Sequence, residues 1–386
     1  MVHVGFVMHK MEVAGAEVLV KQIIERLKGR IRSTVLCLDG IGELGHQLTE
    51  SGVPVVSLER KPGLDWSVAN RLADEVKSRK IEVLHAHQYT PFFYAAVARI
   101  RHRIDSRIIF TEHGRAYPDI VSWKRRLVNR FFLQRHASYT TACCDFSTRA
   151  LQKKDGFPKA VTLQNGIELN DFSPRGTAED VQRRRHELGL ESDGLYVACV
   201  ARMHPIKDHK TLIRSWEIVQ QKLPSAKLLL IGDGPERTNI EHQIEVAGLS
   251  ESVELLGVRH DVQKILRSVN VSTLTSVSEA ASLTLLEAMA SQCPSVVTDV
   301  GGNAEHLREG VDGFLVPRGD AEALAKRLVQ VLVDSVLQRK LGEAGRARVA
   351  EKFSLGRAIE AYARYYEGLA QKTTSSARLE RALADA

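Results

Sequence analysis

The chain has 386 residues, 44% hydrophobic and 26% charged, which is ordinary for a globular protein with enough apolar material for two or three domains. No run of about 18 apolar residues occurs, which excludes a membrane-spanning helix; five cysteines at spacings unsuited to zinc predict reduced core thiols in a cytosolic protein. The net charge of +7 lies wholly in residues 1–180, with 27 Lys and Arg against 20 Asp and Glu, which favours a phosphate-bearing or membrane-surface partner over nucleic acid.

Short apolar runs bounded by turn residues predict buried strands along the whole chain. The first of them lacks the cleavage pattern of a signal peptide. In the first half they are residues 2–8, 33–38, 53–57, 83–85, 107–111, 138–143 and 160–163, and in the second 196–201, 227–231, 253–256, 269–274, 295–298 and 313–316. Amphipathic segments between them predict helices, among them residues 16–27, 68–79, 211–222, 237–247 and 283–290.

This alternation is typical of parallel sheets covered on both faces, and it predicts an α/β protein with two doubly wound domains. The polar stretch 170–180, with Pro174 and Gly176, is the best linker candidate. We therefore expect a first domain in residues 1–175, a second in 176–355, and a C-terminal segment in 356–386 that ends in a polar tail.

Ligands of doubly wound sheets bind at the carboxyl ends of the strands, and the polar motifs of this chain follow predicted strands. The first half has Gly15-Ala16-Glu17, His85-Ala86-His87 and Thr111-Glu112-His113-Gly114. The second half has Arg202 with Lys207, Gly232-Asp233-Gly234-Pro235, and Gly301-Gly302 with Glu305. Two domains whose strand ends face each other would form a cleft, and we expect the site there.

Two carboxylates, Glu279 and Glu287, are eight residues apart around a predicted helix start. Residues 283–290 are strongly helix-forming, so Glu287 is expected about one turn inside the helix and Glu279 in the Ser/Ala-rich loop before it. Free amides at a helix start attract an anion, and carboxylates beside them suit sugar hydroxyls. The structural alternative is a surface glutamate and a helix-capping glutamate.

Charged and imidazole side chains near other strand ends also admit two interpretations. Arg202 and Lys207 flank Pro205, so they belong either to a merely charged loop or to a pair of cations that converge on a diphosphate. His85 and His87 suggest a metal pair, but we expect their spacing to point them to opposite faces of a strand, so no metal site is predicted. His113 alone is equally well explained as a loop histidine.

In this order, the segments resemble the retaining, nucleotide-sugar-dependent glycosyltransferases of family 4, which have the GT-B fold. The resemblance covers roughly residues 1–365 and includes Asn165-Gly166-Ile167 and Glu287-Ala288-Met289-Ala290. It implies two Rossmann-like domains that face each other across a cleft. Residues 354–369 resemble the family's last helix, which crosses back onto the first domain.

The resemblance implies a role for each matching residue. Arg202 and Lys207 would hold the diphosphate charge as the sugar leaves. Glu279 would bind hydroxyls of the donor sugar, and His113 would lie near the reaction centre. The remaining donor-binding groups would be Gly15, Gly232, Gly234, Leu283, Thr284 and, at the ribose, Glu287. The acceptor side would be formed by Glu17, His85 and His87.

The predicted function is that of a hexosyltransferase that moves a sugar from a nucleoside-diphosphate sugar to a glycan or lipid-linked glycan in polysaccharide or lipopolysaccharide assembly. The resemblance also implies that the leaving phosphate takes the acceptor proton on the same face of the sugar. Neither an enzyme nucleophile nor a metal or other cofactor is therefore expected. The alternatives are a transferase with a small soluble acceptor and another GT-B enzyme, such as a sugar-nucleotide epimerase.

The sequence departs from the commonest family pattern in three places. Ala281 and Ser282 stand where an aromatic residue and a glycine are usual, which leaves the donor open. Asp208 replaces the glycine that usually follows the lysine, and Ala14 replaces the first glycine of the N-terminal pair.

A basic aromatic segment in the first half, residues 121–135, has the sequence VSWKRRLVNRFFLQR. Trp123, Leu127 and Phe131 recur every four residues, so one helical face is apolar. One interpretation is a helix that packs on its sheet with a solvated basic rim. The other is a cytoplasmic protein that docks peripherally on anionic lipid at the inner face of the membrane and so reaches a lipid-linked acceptor.

Overall fold

The computed structural model describes residues 1–114 and 122–370, which divide into two compact units. Unit 1 comprises Met1–Gln164 together with the chain from Gly356 onward, and unit 2 comprises Asn165–Leu355. The tail predicted in residues 371–386 and the first residue of the basic segment, Val121, lie outside the described residues. Each unit is built on its own sheet.

The sheet of unit 1 is parallel throughout its described strands, in the order β3-β2-β1-β4-β5-β6-β7. Its strands are β1 (Val2–Met8), β2 (Ile31–Cys37), β3 (Val55–Ser57), β4 (Val83–His87), β5 (Arg107–Glu112), β6 (Tyr139–Ala142) and β7 (Val161–Thr162). All residues of β1 and β4 are buried, because helices cover both faces of the sheet.

The helices of unit 1 in chain order are α1 (Gly15–Arg26), α2 (Glu43–Glu50), α3 (Ser67–Arg79), α4 (Tyr89–His102), α5 (Trp123–Phe131) and α6 (Asp145–Ala150). A 3-10 turn at Leu133–His136 follows α5, and a short π-helical turn at Leu151–Asp155 follows α6. Phe92 of α4 stacks on Phe110 of β5 with ring centroids 4.6 Å apart, and Phe157 packs against both rings.

The sheet of unit 2 is likewise parallel, in the order β10-β9-β8-β11-β12-β13. Its described strands are β8 (Tyr196–Val200), β9 (Lys227–Ile231), β10 (Val253–Gly257), β11 (Val271–Leu274), β12 (Ser295–Thr298) and β13 (Phe314–Val316). The helices are α7 (Ala178–Glu187), α8 (His209–Lys222), α9 (Arg237–Val246), α10 (Val262–Leu266), α11 (Leu283–Ala290), α12 (Asn303–His306), α13 (Ala321–Leu332) and α14 (Ser335–Lys352).

The last described helix, α15 (Leu355–Ala370), belongs to unit 1. Its Tyr362 and Tyr366 are fully buried there. On the outside, Arg30 pairs with Glu360 at 2.7 Å and with Glu367 at 2.8 Å. The prediction of two doubly wound α/β domains with a C-terminal helix that returns to the first is therefore confirmed.

Some strands begin or end at other residues than predicted, because hydrogen bonds to neighbouring elements determine where a strand ends. The prediction that β11 begins at Val269 is wrong, because the amide of Val269 donates to Ile265 in the turn after α10. The prediction that β4 ends at His85 is also wrong, because its pairing with β5 continues to His87, which lies opposite Thr111. Helix 283–290 has the predicted bounds.

The interpretation of the basic segment as a helix packed on its sheet is wrong. Trp123 is 67% exposed, Phe131 50% and Phe132 63%. The only buried side chain of α5 among those described is Asn129, whose Nδ2 donates to the carbonyl of Asp155 at 2.8 Å and whose Oδ1 accepts from the Tyr89 hydroxyl at 2.7 Å. A polar anchor therefore holds this helix, and its aromatic face is left uncovered.

Candidate active site

Apart from Gly15, which belongs to unit 1, the predicted donor residues lie at the carboxyl edge of the sheet of unit 2. The chain leaves β8 toward β9 and β10 and then returns to β11 on the other side of β8. The loops after β8 and β11 therefore diverge at a topological switch point, where doubly wound sheets open a crevice. Arg202 and Lys207 follow β8, and Glu279 follows β11.

Lys207 and Glu279 form an ion pair through Nζ and Oε1. Only 21% of the lysine side chain and 10% of the glutamate side chain are exposed. The hydroxyl of Ser276 donates to the same Glu279 oxygen at 2.6 Å. The carboxylate is therefore fixed by two donors at a largely dehydrated position, where charge interactions are strong.

Hydrogen bonds between the two loops hold this pair together. The Thr275 hydroxyl donates to the carbonyls of Lys207 at 2.9 Å and Asp208 at 3.0 Å. The amide of Val277 donates to the carbonyl of Ile206 at 2.8 Å. The Lys207–Glu279 pair is thus supported by the backbone on both sides and does not depend on side-chain contact alone.

A Gly-Gly turn from the loop after β12 closes on the Glu279 backbone. Gly301 has φ +55°, and a Cβ there would lie 1.6 Å from the Glu279 carbonyl oxygen. Gly302 donates its amide to that oxygen at 3.2 Å. A side chain at position 301 would push the Glu279 loop out of place, so the glycine is needed here for close approach.

Arg202 is exposed, on a loop that two other glycines position. A Cβ at Gly232 would lie 2.1 Å from the carbonyl oxygen of Ala201, and one at Gly234 would lie 2.3 Å from that of Met203. The Met203 amide also donates to the Asp233 carbonyl at 2.9 Å. Gly232 and Gly234, predicted as donor-binding residues, therefore act on the shape of the loop that carries Arg202.

Asp208, where the family pattern has a glycine, has the left-handed conformation with φ +47°. Its carboxylate caps α8, accepting from the Thr211 amide at 3.2 Å and the Thr211 hydroxyl at 2.6 Å. Aspartate tolerates this conformation better than most residues, and the cap offsets the cost. The carboxylate is thus directed to a helix amide, and Lys207 keeps its pairing with Glu279.

Helix α11 begins at Leu283, and Ser282 is its N-cap. The Ser282 hydroxyl accepts from the Leu285 amide at 3.4 Å. In a helix start of this kind the first amides have no intrahelical acceptor, so those of Leu283 and Thr284 are available to an anion. One turn on, burial raises the pKa of Glu287 to about 7, and its carboxyl has no hydrogen-bond partner among the described residues.

In unit 1, three histidines meet at the carboxyl ends of β4 and β5. The prediction that His85 and His87 point to opposite faces is wrong, because alternate residues of a strand share a face: their ring centroids are 3.9 Å apart. His87 Nδ1 and His113 Nε2 share a hydrogen bond of 2.7 Å. His87 Nε2 and His113 Nδ1 are buried without a partner within the described structure.

Burial lowers the pKa of all three imidazoles, that of His113 to about 4. All three are therefore neutral at physiological pH. His85 is held between two hydroxyls, with its Nδ1 2.7 Å from Tyr366 and its Nε2 2.7 Å from Thr111. Tyr366 lies 281 residues away from His85 in the chain, so no local sequence pattern predicted that the two would form a hydrogen bond.

The other predicted residues of unit 1 lie at the start of α1. Gly15 is its first residue, and Glu17 lies in its first turn, where burial raises the pKa of the carboxyl. Ala14 has φ −147°, an extended conformation that any residue adopts, so its replacement of a glycine costs nothing there.

Residues 1–114 and 122–370 contain neither a metal-ligand cluster nor a membrane-spanning helix. No three His, Cys, Asp or Glu side chains in these ranges cluster as metal ligands would. No helix there has both the length and the apolar character needed to cross a bilayer. The five cysteines are free and buried, as expected from the sequence.

The chain matches two family models, Glycosyltransferase Family 4 over residues 13–171 and Glycosyl transferases group 1 over residues 180–348. It is 26% identical over 326 residues to N-acetyl-alpha-D-glucosaminyl L-malate synthase of Bacillus anthracis, covering 83% of each chain. It is 24% identical over 270 residues to the UDP-Gal:alpha-D-GlcNAc-diphosphoundecaprenol alpha-1,3-galactosyltransferase of Escherichia coli, covering 68% of this chain and 69% of that protein.

Among solved structures, Anabaena Alr3699/HepE in complex with UDP shares the fold with a TM-score of 0.83 and 21% identity. The match covers 95% of this chain and 99% of that one.

Proposed function

We propose that this chain, a GT-B hexosyltransferase similar to family 4, moves a hexose from a nucleoside-diphosphate sugar to a lipid-linked glycan with retention of configuration. The observation that carries the proposal is the Lys207–Glu279 pair at the switch point of unit 2, beside the start of α11. A cation, a carboxylate and free helix amides are the groups that a diphosphate and its attached sugar require.

In this proposal, Lys207 and the exposed Arg202 bind the diphosphate, and the amides of Leu283 and Thr284 add neutral donors. Glu279 turns from Lys207 to the hydroxyls of the donor sugar, and Glu287 accepts from the ribose. UDP-sugars are the first donors to test, since a structural neighbour binds UDP.

The proposed transfer needs no covalent enzyme intermediate. The bond from sugar C1 to the diphosphate oxygen breaks as C1 bonds to the acceptor oxygen on the same face. The acceptor proton passes to the leaving diphosphate oxygen, so atoms and charge balance within the two substrates. The cations and helix amides stabilise the charge that develops on the diphosphate, which is the task a divalent metal performs in other transferases.

A lipid-linked acceptor is supported by the exposed face of α5, which we call the α5 surface: Trp123, Leu127, Phe131 and the adjoining Phe132. Leu127 is 43% exposed, and the others are exposed by half or more. Basic side chains accompany them at Lys124, Arg125, Arg126 and Arg130. Aromatic side chains among cations suit an anionic lipid surface, where each basic residue contributes about 1 kcal/mol.

Two experiments test the proposal. Thermal shift with a panel of nucleotide sugars identifies the donor, and NMR of the product gives the anomeric configuration. A product with inverted configuration would refute retention. Conversion of the donor to an epimer without transfer would refute the transferase activity.

For the acceptor, co-sedimentation with phosphatidylglycerol vesicles should show binding that high salt weakens and that Trp123→Ser with Phe131→Ser abolishes. Val246→Ser, at a 73%-exposed valine of unit 2, is the matched control. If the protein ignores anionic vesicles even at low salt, a soluble acceptor replaces the lipid-linked one. That outcome has a parallel in the Bacillus anthracis relative, because its name, N-acetyl-alpha-D-glucosaminyl L-malate synthase, includes the small molecule L-malate.

A further inference from the structure

A cavity of about 360 Å³ lies in unit 2 at the amino-terminal edge of the sheet. Among its lining residues, Asn270 immediately precedes β11, while Ser192 and Gln292 come shortly before β8 and β12. In a parallel sheet this edge is opposite to the one that carries Lys207 and Glu279. The cavity is therefore separate from the predicted donor site, and its volume is in the range of small-molecule sites.

Arginines dominate the charge of this cavity, which we call the arginine cavity. Arg175, Arg185 and Arg339 line it, and Glu343 is the only carboxylate among the lining residues that the structure describes. The lining thus carries two more positive than negative charges. No ion pair with a carboxylate is present at any of the three arginines within the described structure.

The two inner arginines are held by neutral acceptors. Arg185 donates to the carbonyls of Ser268 and Ser192, each at 2.8 Å, and to Asn270 Oδ1 at 2.9 Å. Arg175 Nη1 donates to the carbonyl of Val269 at 2.5 Å, and its other guanidinium donors have no protein acceptor in the described residues. Burial lowers the pKa of both side chains, so each is a cation in a position that disfavours charge.

Two helix starts border the cavity, and carboxylates accompany both of them. Ala178 and Ser335, the first residues of α7 and α14, both line the cavity. Asp334 caps α14 by accepting from the Leu337 amide at 2.9 Å, which leaves the earlier amides of that helix without an intrahelical acceptor. At α7, Asp180 forms a capping box with Thr177 and Glu179 lies in the first turn, so these acids offset the helix dipole there. The arginines are therefore the main source of positive charge in the cavity.

We propose that the arginine cavity is a second, non-catalytic site that binds a small organic phosphate. Arg175 and Arg339 would hold the dianionic phosphate, whose charge matches the excess of two cations. The cavity has more room than a single phosphate group needs, and the polar side chains of Ser192 and Gln292 suit hydroxyls on the rest of the molecule.

Calorimetric titration of the full chain with glucose 6-phosphate, and separately with pyrophosphate, tests the site. Lys207→Ala is the background, so that a ligand held by the donor site contributes little. Adding Arg339→Glu should weaken binding about tenfold to a hundredfold, the usual size of one charge-assisted contact. Adding Ser335→Asp should weaken it as well, although an acidic residue in the first turn of α14 favours folding.

The control is Arg214→Glu, an equal charge change at an exposed position of α8, which should leave binding unchanged. Tighter binding of glucose 6-phosphate than of pyrophosphate supports an organic phosphate, and the reverse order overturns that part of the proposal. The site itself is refuted if neither probe binds, or if Arg339→Glu and Ser335→Asp bind as well as the background. Since no donor sugar is used, these outcomes do not depend on the proposed transfer.

Discussion

Lys207 Nζ is paired with Glu279 Oε1, so the cation expected to bind diphosphate is already bound by the carboxylate expected to bind the sugar. When the donor binds, Lys207 would exchange Glu279 for the diphosphate, and Glu279 would exchange Lys207 for hydroxyls of the sugar. The ion pair keeps both charges compensated before the donor binds, and its dissociation is part of the free energy of donor binding.

Glu279→Gln is expected to separate these two roles. It keeps the shape of the side chain but releases Lys207, so UDP should bind about twofold to tenfold tighter. Turnover should fall at least tenfold, because the amide is a poorer acceptor for sugar hydroxyls. Calorimetry with UDP and initial rates with the identified donor measure the two effects. Weaker UDP binding in the variant would contradict the proposed competition.

Removal of either cation tests the diphosphate clamp. Arg202→Ala and Lys207→Ala leave diphosphate charge uncompensated, and one charge-assisted contact contributes about 1.5–3 kcal/mol. Turnover should fall roughly tenfold to several hundredfold while the circular dichroism spectrum is retained. Arg214→Ala, at an exposed arginine of α8, is the control and should keep the wild-type rate. Near-normal turnover in both clamp variants would remove these residues from the mechanism.

The buried carboxyl of Glu287 predicts a pH dependence of stability. Its pKa is raised from 4.5 to about 7, so between these values the folded protein binds more protons than the unfolded chain, and the free energy of unfolding falls as pH rises. Glu287→Gln should therefore be more stable than wild type at pH 8, by on the order of 2–3 kcal/mol, with a smaller difference at pH 5. Urea denaturation at the two pH values measures this, and a pH-independent difference would show that Glu287 is not the titrating group.

Two tyrosines of α15 form a matched pair for testing the histidine cluster. Tyr366→Phe leaves His85 Nδ1 without its partner, and should lower the free energy of unfolding by about 1–3 kcal/mol. Tyr362→Phe removes a buried hydroxyl that faces Thr111 without forming a hydrogen bond of good geometry in the described structure, and should cost less stability than Tyr366→Phe. Chemical denaturation compares the two, and equal losses would show that the hydrogen bond to His85 is not the cause.

Chelation tests the proposed absence of a metal requirement. With Arg202, Lys207 and the start of α11 supplying the positive charge, transfer should continue at its full rate in EDTA. Complete loss of activity that magnesium or manganese restores would refute the metal-free mechanism.

The sequence predicted those features that depend on local pattern. Helix α11 has its predicted bounds because Ser282 caps it and its apolar residues have helical spacing. The Lys207–Glu279 pair joins residues 72 positions apart, and its support from Ser276 and Thr275 depends on how two loops fold against each other. The partner of His85 was likewise inaccessible to local reasoning, since Tyr366 reaches it only because α15 returns to unit 1.

The return of α15 to unit 1 also constrains the order of events on the ribosome. In the sequence, unit 2 comes between the two segments that form unit 1. The whole of Asn165–Leu355 is therefore synthesised before Tyr362 and Tyr366. Until then His85 has no tyrosine partner, and the apolar surface that α15 covers stays open to other chains. Unit 2 can therefore finish folding before unit 1 does, and the incomplete first unit is the part of the nascent protein most exposed to aggregation.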